Sequence, residues 1–209
     1  LFALISLIKK NNFLYLAYMF LAVLFHKSIV IFLPIYLLSI DKFDFKKILI
    51  FLFFLLITIS FVYTDLKLLF ITYVINRFEN NESGTGLVSY GVYYRLFLNL
   101  IPALIMLIYR NKITNNIIEK KIFVFFSLLI FIYFLFSSLS VVVDRMNLYT
   151  SILQVYVLSR LCYIFDGTKK IMVINFLVVI YYFLVLSVWL NFAVNSSSWI
   201  PYMNYFFHK

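Results

Sequence analysis

The sequence predicts an all-α fold, a polytopic transmembrane helical bundle, and three observations predict it. Hydrophobic residues make up 65% of the 209-residue chain and charged residues 12%, with a mean hydropathy of +1.03, whereas a soluble domain carries about 45–50% apolar residues. Apolar runs near the roughly 20 residues that cross a hydrocarbon core recur along the chain. These runs lack strand alternation, and backbone in lipid must satisfy its own hydrogen bonds, so they read as helices. No linker and no repeat of fixed period interrupts them, so residues 1–209 read as a single transmembrane domain.

The elements follow in order. The chain opens on Leu1 inside the run Leu1 to Ile8, too short to span, and reads as a fragment lacking its N-terminal portion. Phe13 to Ile40 comes next. As one straight helix these residues extend roughly 42 Å and place Lys9 and Lys10 on the opposite side from Lys42, Lys46 and Lys47. As two short arms meeting near His26, they keep both clusters on one side. A re-entrant or broken helical segment near residues 13–40 is therefore expected, with Pro34 interrupting regular hydrogen bonding. Further spans are expected over Ile48 to Tyr63, Leu96 to Tyr109, Ile122 to Val143, about Asp144 to Phe165, and Ile171 to Leu190.

Charge sets the orientation. The net charge of +10 comes largely from Lys9 and Lys10; Lys42, Lys46 and Lys47; Arg110, Lys112, Lys120 and Lys121; and Lys169 with Lys170. Short cytoplasmic connections retain such charge during insertion. Placing all four clusters inside leaves residues 64–95 as an extracytoplasmic loop, with the turn at Asp144 and the C-terminal tail on the same outer side. The basic balance thus reads as topology, and no nucleic-acid partner is expected. Cys162 has no second cysteine with which to form an internal disulfide.

Polar side chains inside apolar runs mark candidate sites. "LFHKSIVIFLP" places His26, Lys27 and Ser28 at the apex of the expected hairpin. An imidazole titrates near neutrality and suits proton transfer from a hydroxyl; the plainer readings are a snorkelling Lys27 and a His26 bonded to a backbone carbonyl. "NRFENNESGTG" is the most polar run, with Gly84 and Gly86 permitting a lid. The flank "YGVYYR" offers Tyr93 and Tyr94 as sugar platforms and Arg95 for phosphate, or Tyr90, Tyr93 and Tyr94 as an interfacial aromatic belt. In "VVVDRMNLYTSILQVYVLSR", Asp144 is a helix cap or a functional carboxylate, and Arg145 a snorkelling or functional cation. Arg145, Tyr149 and Tyr156 are expected on one helical face beside a stripe of Asn147, Ser151 and Gln154. Trp199, Pro201, Tyr202 and Tyr205 return the tail to the outer surface. The sequence holds no phosphate-binding Gly loop and no zinc spacing, so no cofactor and no metal site are expected.

The segments "FHKSIVIFLPIYLLS", "YYRLFLNLIPALI", "DRMNLYTSILQVYVLSRL" and "WIPYMNYF" resemble the C-terminal part of EpsG-like, Wzy-type polysaccharide polymerases of bacteria. The resemblance implies a multi-pass protein of the bacterial inner membrane with its site facing the periplasm. Its reaction would transfer a glycan from polyprenyl diphosphate to a lipid-linked repeat unit of O-antigen, capsule or exopolysaccharide. The implied partners are the polyprenyl-diphosphate-linked oligosaccharide, membrane lipids and a chain-length regulator. On this reading His26 activates the acceptor hydroxyl, with Asp144 as alternative base or as the group orienting an arginine. Arg77, Arg95 and Arg145 bind diphosphate, and Tyr93, Tyr94, Tyr149 and Tyr202 position sugars. The rival is a lipid-linked oligosaccharide flippase.

Overall fold

The computed structural model describes residues 1–40, 44–75, 89, 91–165 and 167–192. Every regular element among them is helical: α1 (Phe2–Ile8), α2 (Asn12–Phe25), a 3-10 arm (Lys27–Ser39), α3 (Phe45–Phe70, continued by a π turn Ile71–Ile75), α4 (Val92–Ile113), α5 (Ile117–Leu135), α6 (Ser140–Thr150), α7 (Ile152–Leu158), a 3-10 turn (Leu161–Tyr163) and α8 (Thr168–Phe192). Phe45–Leu68, Val92–Ile113 and Thr168–Asn191 are long and apolar enough to cross a membrane, each about 33–36 Å at 1.5 Å per residue. The chain, read from sequence as one domain, divides into two compact units, Leu1–Val157 and Leu158–Lys209. In the second unit α8 exposes apolar side chains around its circumference, among them Met172, Val173, Leu184 and Trp189, as a lipid-facing span requires.

In the first unit, residues 13–40 break where the sequence places the break. α2 ends at Phe25, His26 adopts an extended backbone (φ −142°, ψ 99°), and the chain resumes as a 3-10 helix. Pro34 lies inside that arm. Its missing N–H and the ring's clash with the preceding turn disfavour an α-helix there, as does the β-branched run Ile29 to Ile31. The two arms fold back on one another as a hairpin. Tyr15, fully buried on α2, donates its hydroxyl to the carbonyl of Phe32 (3.0 Å). The rings of Tyr15, Tyr36 and Phe51 stack in succession, tying both arms to the start of α3. Phe32 packs edge-on against Phe126 of α5 and Tyr149 of α6.

Other boundaries differ from expectation. Within the loop expected over 64–95, α3 and its π turn carry helix through Ile75 and α4 begins at Val92. Ile122 to Val143 is two helices rather than one span: α5 stops at Leu135 and α6 starts at Ser140. The intervening residues include Ser137 and Ser138, whose hydroxyls compete for backbone groups and favour turns over helix. Asp144 consequently sits inside α6 and is no cap; Leu139 occupies the cap position. The helix expected from Asp144 to Phe165 breaks at Ser151 and ends at Leu158.

Pro102 shows how the bundle repairs its own irregularities. Lying within α4, it cannot donate to the carbonyl of Leu98 one turn earlier, and an orphan carbonyl in an apolar setting is costly. Gln154 of α7 donates its side-chain Nε2 to that carbonyl (3.3 Å). Gln154, expected in a stripe with Asn147 and Ser151, thus stands in for a backbone donor. Gln154→Leu is expected to destabilise the protein by about 1–3 kcal/mol. Pro102→Ala restores the helical N–H, so the double variant should lose less than Gln154→Leu alone; unfolding midpoints in detergent check this, and equal losses would refute the assignment.

Candidate functional site

The lysines and arginines of the connections lie at one end of the first unit. Lys9 and Lys10 lie at the turn between α1 and α2, Lys46 and Lys47 begin α3, and Arg110, Lys112, Lys120 and Lys121 flank the short turn between α4 and α5. The hairpin apex, the last turns of α3 and the first turns of α4 and α6 point away from that end. Two polar clusters occupy this other side.

The first joins α4 to α6. Arg95 grips Asp144 with both arms of its guanidinium: Nε donates to Oδ1, and Nη2 donates to Oδ2 at 2.7 Å. Ser89 completes the clamp, its hydroxyl donating to Asp144 Oδ2 (2.9 Å) and accepting from Arg95 Nη2 (3.0 Å). The Ser89 backbone N–H is held by the hydroxyl of Ser140 (3.0 Å). Beneath the clamp, Val92, Leu96 and Val143 form an apolar cluster with Tyr133 and Phe134. One turn further in, Asn99 donates to Asn147 (2.8 Å), both side chains buried. The carboxylate of Asp144 thus accepts a bidentate guanidinium and a hydroxyl at once, a strong, geometrically specific arrangement.

The second cluster surrounds the hairpin apex. His26 Nδ1, Ser28 Oγ and Tyr149 Oη lie 2.8 Å from one another, and the Tyr149 ring meets the imidazole edge-on (5.7 Å, 85°). Ser28 is buried and His26 is exposed. Beside them Lys27 pairs with Asp65 on α3 (2.8 Å), so its charge is met by a carboxylate rather than by snorkelling alone. At about 100° per residue, Tyr149 lies about 140° around α6 from Asp144, while Arg145 lies within about 40° of Tyr149. Arg145, exposed, therefore shares the His26 side of α6. The clamp occupies the other.

The structure thus brings His26 to Tyr149 and Arg95 to Asp144 but separates the two pairs around α6. Tyr93 and Tyr94 are exposed on the first turn of α4, and the Tyr93 hydroxyl donates to Ser137 (3.3 Å). Tyr156 leaves the face expected of it. The break at Ser151 turns it toward the basic end, where it donates to Glu119 (2.7 Å) and stacks on Phe123. Arg77, Tyr90, Gly84, Gly86, Tyr202 and the rest of the tail lie outside the described residues. Sequence reasoning missed Asp65, although a carboxylate inside an apolar helix is itself a signal for a partner. It also missed Ser89 and Ser140, which carry no comparable signal. Among the described residues no group of three or more His, Cys, Asp or Glu side chains is placed to hold a metal.

The sequence profile of the EpsG family matches residues 1–204. The chain belongs to the EpsG family. No curated protein and no solved structure matches it. As an EpsG-family member it is a multi-pass, helical, polysaccharide-polymerase-like membrane protein.

Gly91 lies directly beside the clamp. A Cβ there meets Arg95 Nη2 at 3.0 Å, so the guanidinium must yield by a few tenths of an ångström. Gly91→Ala is expected to lower the unfolding midpoint. Asp144→Asn, acting on a pair 36% and 18% exposed, should cost about 1–2 kcal/mol. Combined, the two should cost less than their sum, because both weaken one pair; strictly additive losses in a double-mutant cycle would show that Gly91 acts elsewhere.

Proposed function

We propose that this EpsG-family protein is a Wzy-type polysaccharide polymerase of the bacterial inner membrane. It transfers a glycan from polyprenyl diphosphate to a lipid-linked repeat unit of O-antigen, capsule or exopolysaccharide on the periplasmic face. The observation that carries the reading is the gathering of His26, Tyr149, Arg95, Asp144 and Arg145 on the side of the first unit away from its lysine-rich connections. Positive charge marks those connections as cytoplasmic, so this side is assigned to the periplasm.

The reaction needs charge stabilisation and one proton acceptor. The acceptor oxygen bonds to the anomeric carbon, the bond from that carbon to phosphate breaks, and the lipid diphosphate leaves with the electron pair. Fixed cations in a low-dielectric setting stabilise that departing charge more than water does. Arg145, exposed on the His26 side of α6, is the principal diphosphate contact, with Arg95 and Arg77 as further ones. His26 takes the acceptor proton. Tyr93, Tyr94 and Tyr202 supply ring faces for sugars. A separate chain-length regulator is the expected protein partner.

Purified protein in nanodiscs, given a defined polyprenyl-diphosphate oligosaccharide and no nucleotide, should lengthen the glycan, as read by product size. Arg145→Ala should lower the rate by about 100-fold or more while the protein remains in the membrane. Lipid-linked oligosaccharide crossing vesicles without elongation would replace the polymerase by a flippase, and an active Arg145→Ala variant would remove this arginine from the mechanism.

A further inference from the structure

We propose that the cleft between Phe165 and the first two turns of α8 binds one anionic phospholipid, with Lys169 and Lys170 on its phosphate. The site lies wholly within the second unit and does not depend on the polymerase reading.

The local sequence shapes the cleft. Gly167 adopts a positive φ of 102°, which residues with a Cβ resist, and it turns the chain from Leu161–Tyr163 into α8. Phe165, 43% exposed, stands beside the helix start. With Lys169, Lys170, Val173 and Ile174 it lines an open cleft of about 490 Å³, within the roughly 300–1,000 Å³ of small-molecule sites.

Spacing orders the lining chemically. Val173 follows Lys169 by four residues and Ile174 follows Lys170 by four, so each lysine heads a column that continues into an apolar side chain one turn deeper. Residues 171–192 carry no charge, and the lysines therefore mark the end of the span. Side chains lean toward the helix N-terminus, which carries the ammonium groups away from the apolar pair. A phospholipid has the same order, phosphate first and acyl chain next. The Phe165 ring and the branched side chains of Val173 and Ile174 give that chain a shaped wall, which lysines that merely reach for the surface would lack.

Charge selects the headgroup. Lys27, Lys47 and Arg95 each meet a carboxylate, whereas among the described residues Lys169 and Lys170, both exposed, meet none. Across residues 160–175, Arg160, Lys169 and Lys170 stand against Asp166 alone, so positive charge remains whichever cation that acid neighbours. A basic span end is retained on the cytoplasmic side, where the membrane surface is negative, and each lysine near it adds about fivefold in binding.

Native mass spectrometry of the full chain in detergent, titrated with phosphatidylglycerol or phosphatidylcholine, counts the retained lipid. One phosphatidylglycerol should bind about tenfold or more tightly than phosphatidylcholine. Lys169→Ala with Lys170→Ala should weaken it by about 30-fold. Lys46→Ala with Lys47→Ala removes the same charge from the first unit and should leave retention unchanged. Val173→Trp fills the cleft without altering charge; Val173 is 56% exposed, so the fold accommodates the ring, and retention should fall here too. Equal retention of the two lipids, equal losses from the two lysine pairs, or a Val173→Trp variant that retains as much as wild type would overturn the proposal. So would tighter retention of polyprenyl phosphate than of phosphatidylglycerol, which would assign the cleft to the substrate's carrier.

Discussion

A polar group inside an apolar helical bundle has to find its partner within the protein, and this one requirement organises the first unit. Water cannot satisfy a carbonyl or a carboxylate in hydrocarbon, and an unmatched group costs several kcal/mol. Four such groups are met by a side chain from a different element. The carboxylate of Asp144 meets Arg95, Lys27 meets Asp65, the carbonyl freed by Pro102 meets Gln154, and the carbonyl of Phe32 in the 3-10 arm meets Tyr15. These pairs link α2 to the arm, the arm to α3, α4 to α6 and α4 to α7.

α6 is where the pairs become a site. It is short, and it is polar on two sides: Ser140, Asp144 and Asn147 are bonded to the Ser89–α4 region, whereas Tyr149 reaches the hairpin apex. Its placement depends on the turn after α5. Had α5 continued through Val143 as a single span, Asp144 would begin a helix at the rim instead of lying one turn inside one, and the register with Arg95 would be lost. The two clusters differ in chemistry. The clamp is charge-balanced and closed on itself, as a structural joint is. The apex triangle contains an exposed imidazole with its second nitrogen less closely engaged (3.4 Å from Tyr149 Oη), as a group that meets a ligand is.

Proline serves opposite ends in two places. In the arm, Pro34 favours a tighter helix whose carbonyls are bonded by Tyr15 from outside the arm. In α4, Pro102 leaves the helix continuous and is compensated from a neighbour. The difference lies in the surroundings. The residues before Pro34 are β-branched and follow an extended His26, so the α-helical ladder there has little to lose; Pro102 is flanked by helix-favouring residues on a span long enough to absorb one missing bond.

The sequence by itself determined the helical class, the membrane-spanning length of the main helices, the break at His26 and the polarity of the charged ends. Each depends on local composition: apolar run length, a proline among β-branched residues, and lysines clustered at connections. It also singled out His26, Arg95, Asp144 and Tyr149, because ionisable or polar side chains stand out against an apolar background. What only the tertiary structure decided is who meets whom. Pairings such as Arg95 with Asp144, or His26 with Tyr149, span dozens of residues, and they depend on register between helices that no local pattern encodes. Helical periodicity places Tyr156 and Gln154 on neighbouring stripes of one continuous helix, and a single break at Ser151 sends both to other partners. Register and breaks are fixed by the packing of all the elements together, which is why they become visible only in three dimensions.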